Sequence, residues 1–461
     1  MNFNQNDNNE LKVMFDEAMK NHTTGDHDSF FSCLQEISTK FFNLDILNIK
    51  KLNPNKDVFG EKEDEMERMT NSELVSERKK LFTILLSKYA ISGYWSKSVN
   101  NNDVKKSIDY LLFLGDDRFF NKGNLLINSL FYITDIKGLV GDNVKFIDLS
   151  PEFPLLPTSK TQKYNPINPS VLVESDGTLT VLVRGVNFTS DQGTNYRSMD
   201  NDGKVRTFNL ITKLDNDFKM DESSSHEMYD NFERKFYPSW VLGLEDCRLF
   251  RNDTNETFFT ATSCQTDYNH AKLVICKTTE LLTEITNLAR LKPPDENRVE
   301  KNWLPFFDSP SDKYLAIYGY NPVSVREIDT NTGLNHEIIT NKSPFNFSTF
   351  RGSGGPINFK YRGDDGKLII IHEVSFGHDN KRTYIHRFVW LDETYNIKAI
   401  SRSFYFIEIG IEFCSSLAIK VTDEKETIIV GFGQNDEKAY LCLIDSKDVT
   451  SCLISTDDLL I

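Results

Sequence analysis

A repeated pattern of a polar leading segment followed by an apolar run occupies most of this chain after residue 165. Each leading segment carries Gly, Pro or charged residues, and a β-branched or aromatic run follows it. The leading segments begin at Asn165, Gly243, Glu300, Phe350 and Gly410, and their runs cover residues 180–183, 258–261, 314–318, 368–371 and 427–431. Repeats of roughly 60 residues with short strands and polar turns predict a mainly β fold, a five-bladed β-propeller over residues 165–461.

A propeller directs equivalent segments of all its blades toward one central funnel. We therefore expect the five leading segments to converge at one end of the channel. Charged residues within them become candidates for chemistry, because a charge next to an apolar strand is costly to bury unless it is paired or meets a ligand.

The segment from Gly243 to Arg248, Gly-Leu-Glu-Asp-Cys-Arg, concentrates three charges in four positions. Two interpretations are open, a structural Asp–Arg pair that closes a turn and a ligand site. Since successive side chains on a strand alternate, we expect only one of Glu245 and Asp246 to line the funnel. Arg184, with Asn187 close behind it, interrupts another apolar run, as either a salt bridge at a blade edge or a ligand.

The later leading segments supply further candidates. Lys301, Asn302 and Trp303 combine a cation, an amide and an aromatic platform, which suits a sugar with an anionic partner. Arg351 opens a Gly-rich turn whose backbone amides could meet phosphate, and His372 ends the run of that repeat. The last repeat offers Glu412 and Asp436, which could equally serve in turns.

The leading segments taken together resemble those of a known family. The Gly-x-Glu-Asp-x-Arg signature, Glu300-Lys-Asn-Trp, Arg351-Gly-Ser-Gly-Gly-Pro and the strand end Ile371-His-Glu-Val are similar to the five-bladed propeller of the β-mannoside phosphorylases (glycoside hydrolase family 130) and the related β-1,2-mannosyltransferases. The resemblance covers roughly residues 150–450. It implies a glycosyltransferase or an inverting phosphorylase for mannosides or mannose 1-phosphate.

The resemblance also implies roles for the candidates. Catalysis would fall to Asp246, Glu245 or Asp267. No cofactor or metal is expected, but phosphate or a sugar phosphate would be a co-substrate, held by Arg184, Lys301, Arg351 and His372. The remaining substrate-binding candidates are Asn187, Arg248, Asn302, Trp303, Glu412 and Asp436.

One departure from the family concerns the proton donor. The phosphorylases carry an aspartate just after the strand that follows Glu-Asp-x-Arg, whereas this chain has Ser263-Cys-Gln there and Asp267 slightly beyond. Three alternatives are open: Asp267 substitutes, another carboxylate works, or phosphorolysis is lost. The last leads to a second hypothesis, a catalytically silent propeller that binds glycans or a protein.

Composition excludes other classes of function. A net charge of −15 disfavours nucleic acid as a partner, because phosphate neutralisation needs clustered Lys and Arg. No apolar run is long enough for membrane insertion, and no secretory signal is visible. Seven cysteines without paired spacing predict reduced thiols and a cytoplasmic location. The Asp215-Asn-Asp217 match to a metal-holding Asp-x-Asp pattern is expected by chance in so acidic a chain.

Residues 1–140 have the sequence pattern of α-helices. Apolar residues at helical spacing over 73–90, 103–114 and 124–133 predict successive helices that resemble tetratricopeptide-type hairpins. Such helices could dock a protein partner. Gly and Pro residues then interrupt any helix, so residues 141–164 are predicted to be a linker.

Overall fold

The computed structural model describes residues 134–149, 153, 154, 156, 162–191, 194–232, 241–265, 271–296, 299–344, 347, 349–376, 382–422 and 425–456, with scattered positions between 13 and 40. The chain divides into two compact units, residues 1–133 and 134–461. The second unit contains every sheet described below.

The helical domain predicted over residues 1–140 is not supported. The described positions between 13 and 40 have helical backbone conformation, but they are scattered, and the helices predicted over 73–90, 103–114 and 124–133 lie outside the described residues. The end of this range instead forms strand β1 (Thr134–Asp135) and the short helix α1 (Ile136–Val140), which belong to the second unit.

The first large sheet follows a single strand, β2 (Lys145–Leu149). The next strands are β3 (Asn165–Val173), β4 (Leu179–Val186), β5 (Phe188–Asp191), β6 (Thr194–Ser198), β7 (Val205–Leu214), β8 (Met220–Glu227) and β9 (Val241–Leu242). Sheet 1 has the order β3-β4-β7-β8, and β9 pairs with β7 in parallel. Strands β5 and β6 form a separate hairpin inserted between β4 and β7.

Two regular sheets come next. Sheet 2 is β10 (Leu244–Arg251), β11 (Thr257–Ser263), β12 (Lys272–Thr278) and β13 (Ile285–Arg290). Sheet 3 is β14 (Leu304–Asp308), β15 (Lys313–Tyr320), β16 (Val323–Ile328) and β17 (Asn335–Asn341). Both are antiparallel meanders in which each strand pairs with the next one in the chain.

The last part of the chain builds two more sheets. Its elements are β18 (Arg351–Asn358), β19 (Gly366–Phe376), β20 (Arg382–Asp392), β21 (Ile397–Ile400), β22 (Phe404–Tyr405), β23 (Glu412–Val421), β24 (Glu426–Gln434), β25 (Lys438–Asp445), helix α2 (Ser446–Cys452) and β26 (Ile454–Ser455). Sheet 4 has the order β18-β19-β20-β22-β1, with β21 paired to β20 and β26 paired to β21. Sheet 5 has the order β23-β24-β25-β2.

The arrangement is that of a mainly β propeller with four regular blades, sheets 1, 2, 3 and 5. The predicted number of five equivalent blades is therefore wrong. Sheet 4 lies between sheets 3 and 5 but lacks the four-stranded meander, because it also takes up β1, β21, β22 and β26.

The first strand of each sheet lies at the centre. Strand β3 contacts β10 and β23, β14 contacts β10 and β18, and β18 contacts β23. The N-terminal strand β2 completes sheet 5 by pairing with β25 near the C-terminus, so residues far apart in the chain share one blade. The segment predicted as a linker, 141–164, therefore contains this strand. Sheets 5 and 1 approach closely, since a Cβ at Gly431 would lie 2.3 Å from the carbonyl oxygen of Pro169.

The core consists of apolar layers between neighbouring sheets. Side chains of sheets 1 and 5 form one layer, and those of sheets 4 and 5 form another. Strand β4 is buried at every position, as expected of a strand that packs against apolar side chains on both faces. This burial explains why the repeated apolar runs are nearly continuous rather than alternating.

Two further observations concern the described residues. None of their helices is long and apolar enough to span a membrane. All seven cysteines of the chain are free thiols, and five of them are buried.

Candidate active site

The five central strands begin at the same end of the channel, called the mouth here. The leading segments converge there through direct contacts. Arg248 in the middle of β10 donates to the carbonyl oxygen of Ser353 on β18 at 3.2 Å and to Oδ1 of Asn302 just before β14 at 3.1 Å. It also lies 5.7 Å from the ring centre of Phe413 on β23.

Backbone bulges shape the mouth. The strand register shifts near the start of β3, β10, β18 and β23. Three mouth residues have left-handed backbone conformation, Asn168 (φ 46°), Asp246 (φ 53°) and Asn302 (φ 68°), which is uncommon outside Gly and tolerated best by Asn and Asp. A bulge breaks the alternation of side chains, so consecutive residues can point the same way.

Glu245 and Asp246 use this freedom. Arg184 Nη2 lies 2.6 Å from Glu245 Oε1, and Arg184 Nη1 lies 2.7 Å from Asp246 Oδ1. Asn168 Nδ2 donates to the same Asp246 oxygen at 2.7 Å. The expectation that only one carboxylate would face the funnel is therefore wrong, because the bulge between Glu245 and Arg248 turns both toward one guanidinium.

The two carboxyl groups have opposite pKa shifts. Burial and the neighbouring Asp246 charge raise the pKa of Glu245, although Arg184 opposes this. Burial also acts on Asp246, but Arg184 and the hydrogen bond from Asn168 outweigh it and lower the pKa of that carboxyl. Adjacent acids whose pKa values are pushed apart are typical of acid–base sites.

Arg248 and His372 form the floor of the mouth. Arg248 is 4% exposed, and its guanidinium bonds to neutral oxygens. Ser353 Oγ, on the residue whose carbonyl receives Arg248, lies 2.7 Å from His372 Nδ1. Burial and neighbouring cations hold the pKa of His372 well below its usual value, so its imidazole is neutral. His372 is therefore a neutral hydrogen-bond partner of Ser353 rather than a cationic ligand.

Lys301 and Arg351 are the solvent-exposed cations of the mouth. Neither has a carboxylate within ion-pair distance among the described residues. The surrounding protein displaces enough water to lower the pKa of Lys301. The guanidinium groups of Arg351 and Arg382 lower it further, whereas the negative charges of Asp246 and Glu245 act to raise it. Lys301 therefore interacts with both the acidic pair and two further cations.

Three side chains that sequence reasoning missed lie at the rim. Ser190 Oγ donates to Asp436 Oδ2 at 3.0 Å, and Arg382 Nη1 donates to Tyr196 Oη at 3.1 Å. The candidate Asp436 has left-handed backbone conformation (φ 57°), and burial raises its pKa. Asn168 was also missed, although its position in the first leading segment was a signal in the sequence that could have identified it.

Two predicted ligands are structural in this geometry. Trp303 is 1% exposed and its indole N–H donates to Glu300 Oε2 at 3.0 Å, so it supports the mouth from below and cannot serve as a platform. Asn187 is completely buried, donates to Asp200 Oδ2 at 2.7 Å and accepts from the backbone N–H of Arg206. It fixes the base of the β5–β6 hairpin.

Glu412 is also engaged by its own loop. Its carboxylate accepts three backbone N–H groups, from Phe406, Ile407 and Glu408. Because the side chain is completely buried, its pKa is raised to about 7 despite these bonds. The predicted substrate contact is therefore not available to this carboxylate.

The raised pKa of Glu412 predicts a pH dependence of stability. The folded state retains this proton up to about pH 7, whereas the unfolded chain releases it near pH 4.5, so stability falls as pH rises between these values, by about 3 kcal/mol at most. Glu412→Gln removes the titration. Chemical unfolding at pH 5 and pH 8 should show a smaller difference for this variant than for the wild type. Glu437→Gln, which removes an exposed acid of the β24–β25 turn, is the control, and an unchanged pH dependence in Glu412→Gln would contradict the assignment.

Residues 263–265, where the resembled phosphorylases carry an aspartate, lie beside the acidic pair. Gln265 Oε1 accepts the backbone N–H of Gly243 at 2.8 Å, and burial followed by the Glu245 charge raises the pKa of Cys264 to about 11. Asp267 lies outside the described residues. Cys264 is therefore a neutral thiol, and no acid occupies this position in the described part of the segment.

The mouth carries an excess of positive charge. Its cations are Arg184, Arg248, Lys301, Arg351 and Arg382, and its acids are Glu245, Asp246 and Asp436. Among the described residues, these five cations against three acids leave an excess of two in a chain of net charge −15. Such a cluster favours binding of an anion.

Metal ligands do not cluster in the described residues. No group of three or more His, Cys, Asp or Glu side chains there is placed to hold an ion. The Asp215–Asp217 pattern forms a turn, in which Asp215 Oδ1 accepts the backbone N–H groups of Asp217 and Lys219.

Comparisons with known proteins give matches in structure alone. No protein-family model matches the chain, and no curated protein matches its sequence. A glycosyl hydrolase from Bacteroides ovatus is 13% identical with a TM-score of 0.42, over 62% of this chain and 85% of the other. MPT-4, a mannose phosphorylase from Leishmania mexicana in complex with phosphate, is 13% identical with a TM-score of 0.38, over 63% of this chain and 87% of the other. MPT-1, a GDP-Man-dependent mannosyltransferase from Leishmania mexicana, is 11% identical with a TM-score of 0.40, over 65% of this chain and 89% of the other.

Proposed function

We propose that this chain is a carbohydrate-active enzyme that transfers a glycosyl group to or from phosphate or a sugar phosphate, with mannosides or mannose 1-phosphate as substrates. The observation that supports this most directly is that the exposed cation Lys301 interacts both with the Glu245–Asp246 pair and with a second exposed cation, Arg351. Acids can bind sugar hydroxyl groups and pass a proton, and cations can hold a phosphate. Glycosyl transfer to phosphate needs both.

The two acids take different roles in this proposal. Asp246 is held by Arg184 and Asn168 and has a lowered pKa, so it stays ionised and accepts hydrogen bonds from sugar hydroxyl groups. Glu245 has a raised pKa and supplies the proton. A general acid works best with a pKa close to the working pH, which favours Glu245 over its neighbour. Asp267 stays a second candidate acid that lies outside the described residues.

The proposed step conserves atoms and charge. In the phosphorolytic direction Glu245 gives its proton to the glycosidic oxygen while the bond from this oxygen to C1 breaks. A phosphate oxygen held by Lys301 and Arg351 forms the new bond to C1 from the opposite face, which inverts the configuration. In the synthetic direction the Glu245 carboxylate accepts the proton of the acceptor hydroxyl, and phosphate leaves.

Sheet 4 is taken as the fifth wall of the funnel, since it contributes Arg351, Ser353 and His372 to the mouth. The cytoplasmic location rests on the cysteine spacing in the sequence.

Anion binding is the first property to test. We expect inorganic phosphate or mannose 1-phosphate at millimolar concentration to raise the Tm of the full chain, because a ligand at about 100 times its Kd stabilises the native state by about 2.7 kcal/mol. Arg351→Ala should remove the shift, since Arg351 offers an exposed guanidinium fork. Lys360→Ala, which removes an exposed cation outside the mouth, is the matched control. An unchanged Tm in the wild type, or a shift that persists in Arg351→Ala, would reject the anion site.

A second function is favoured by one observation. Gln265 is tied to Gly243 where the resembled phosphorylases carry their proton donor, which supports a propeller that binds glycans without turnover. A screen of sugar 1-phosphates and mannosides separates the two, with phosphate release and product formation both followed. Stabilisation by ligand without any product supports the silent propeller, and product formation supports the enzyme.

A further inference from the structure

The β5–β6 hairpin is the part of the propeller unit that the proposed reaction does not use. It belongs to no blade and projects from the connection between β4 and β7. Its base is rigid, because Asn187 bonds to Asp200, to the carbonyl oxygen of Lys204 and to the backbone of Arg206. A projection with a fixed base can hold a side chain in one position.

The hairpin reaches two other sheets at the mouth. Ser190 bonds to Asp436 in the turn between β24 and β25 of sheet 5, and Tyr196 accepts from Arg382 at the start of β20 in sheet 4. Both partners interact with the reaction centre, Arg382 with Lys301 and Asp436 with Arg184 and Asp246. The hairpin therefore forms a wall directly beside the proposed anion site.

Tyr196 offers an accessible aromatic surface in this wall. Phe188 packs against its ring at 5.2 Å between centroids, in an edge geometry, and the Arg382 guanidinium lies 5.7 Å from its ring centre. Tyr196 still remains 39% exposed. An exposed aromatic ring held in place, with a hydroxyl group, a guanidinium and a carboxylate around it, matches the mixed apolar and polar surface of a sugar ring.

We propose that Tyr196, Arg382 and Asp436 form a ledge that binds the second sugar ring of the substrate, the one that leaves or accepts at the glycosidic oxygen. This inference rests on the proposed function, which defines the first sugar ring as the one whose C1 reacts. The ledge gives the protein a preference for a disaccharide over a monosaccharide, while phosphate is held separately by Lys301 and Arg351.

Calorimetric titration of the full chain with inorganic phosphate, mannose and β-1,2-linked mannobiose tests the ledge. Wild type should bind mannobiose more tightly than mannose. Tyr196→Ala should weaken mannobiose binding about tenfold, with mannose and phosphate changed by less than about twofold. Tyr196→Phe keeps the ring and should lose only part of the preference. Tyr229→Ala, which removes another exposed tyrosine, 57% accessible and bonded through its backbone to Thr283 and Ile285 at the start of β13, is the matched control.

The outcomes separate the two proposals. If wild type binds phosphate but Tyr196→Ala keeps the full preference for mannobiose, the ledge is rejected and the proposed function stands. If mannobiose binds in a Tyr196-dependent way but phosphate does not bind, the ledge stands and the phosphate-dependent function is rejected. Binding of neither ligand rejects both. An equal loss for mannobiose, mannose and phosphate in Tyr196→Ala assigns Tyr196 a structural role and also rejects the ledge.

Discussion

Replacing Arg184 with Met is expected to lower the free energy of unfolding by about 3–5 kcal/mol at pH 7. The Arg184 side chain is 6% exposed and joins two carboxylates that are each about one fifth exposed. Removing it leaves Glu245 and Asp246 adjacent, partly desolvated and without their counter-charge, and breaking a buried pair in this way is strongly destabilising. Equilibrium unfolding in urea measures the loss.

The pH dependence of this loss gives a further check. Arg184 lowers the pKa of both carboxyl groups, so both pKa values rise in Arg184→Met. Groups whose folded pKa lies above the unfolded value favour the folded state less as pH rises. The destabilisation should therefore be smallest near pH 4 and largest at neutral pH. A loss that does not vary with pH would point to packing rather than charge.

Arg290→Met is the matched control for this experiment. Arg290 pairs with Glu296 at 2.8 Å, but both side chains are more exposed, 24% and 39%. Ion pairs near the surface contribute about 0–1 kcal/mol. If both variants lose the same small amount, the triad of Arg184 with two acids is no more important to the fold than a surface pair.

Glu245→Gln is expected to reduce turnover by about 10²–10⁴-fold, the usual contribution of a positioned general acid. Glutamine retains an oxygen that can accept from Arg184, and Asp246 still balances the guanidinium charge, so the Tm should change little. The wild-type rate should fall as pH rises through the raised pKa of Glu245, because only the protonated form donates. This limb of the pH–rate profile should be absent in Glu245→Gln.

Asp246→Asn provides the comparison. Its oxygen accepts from both Arg184 and Asn168, so this substitution should lower the Tm as well as the turnover. The profile of the residual activity should keep the Glu245 limb. Full turnover in Glu245→Gln would remove this residue from the proton-donor role, and unfolding of both variants would favour the interpretation of the segment as a structural ion pair.

The fold class was predictable because the apolar runs are a consequence of burial on both faces. Strands β4 and β11 are buried at every position, and such strands read as continuous apolar segments with polar turns between them. The number of regular blades was not predictable in this way. Strands β1, β22 and β26 are two residues long, and so short a strand leaves no periodic signal.

The candidate site was predictable to a different extent for each residue. The charges of Glu245, Asp246 and Arg184 were conspicuous because they interrupt strand-like segments. Trp303 and Glu412 were equally conspicuous, but their partners are Glu300 and the backbone of residues 406–408. Local sequence does not show which side chain faces the funnel and which faces the core, because residues of both kinds lie in the same type of leading segment.

By itself the sequence determined the repeating strands, their convergence at one mouth and the charges that this mouth contains, because these depend on local hydrophobicity and spacing. Only the tertiary structure decided how those charges are used. The bulge at Asp246 brings two successive carboxylates onto one guanidinium, against the alternation expected of a strand. Tyr196 and Arg382 meet across two sheets, 186 residues apart in the chain. Contacts of this kind depend on backbone geometry and sheet packing, which no short segment encodes.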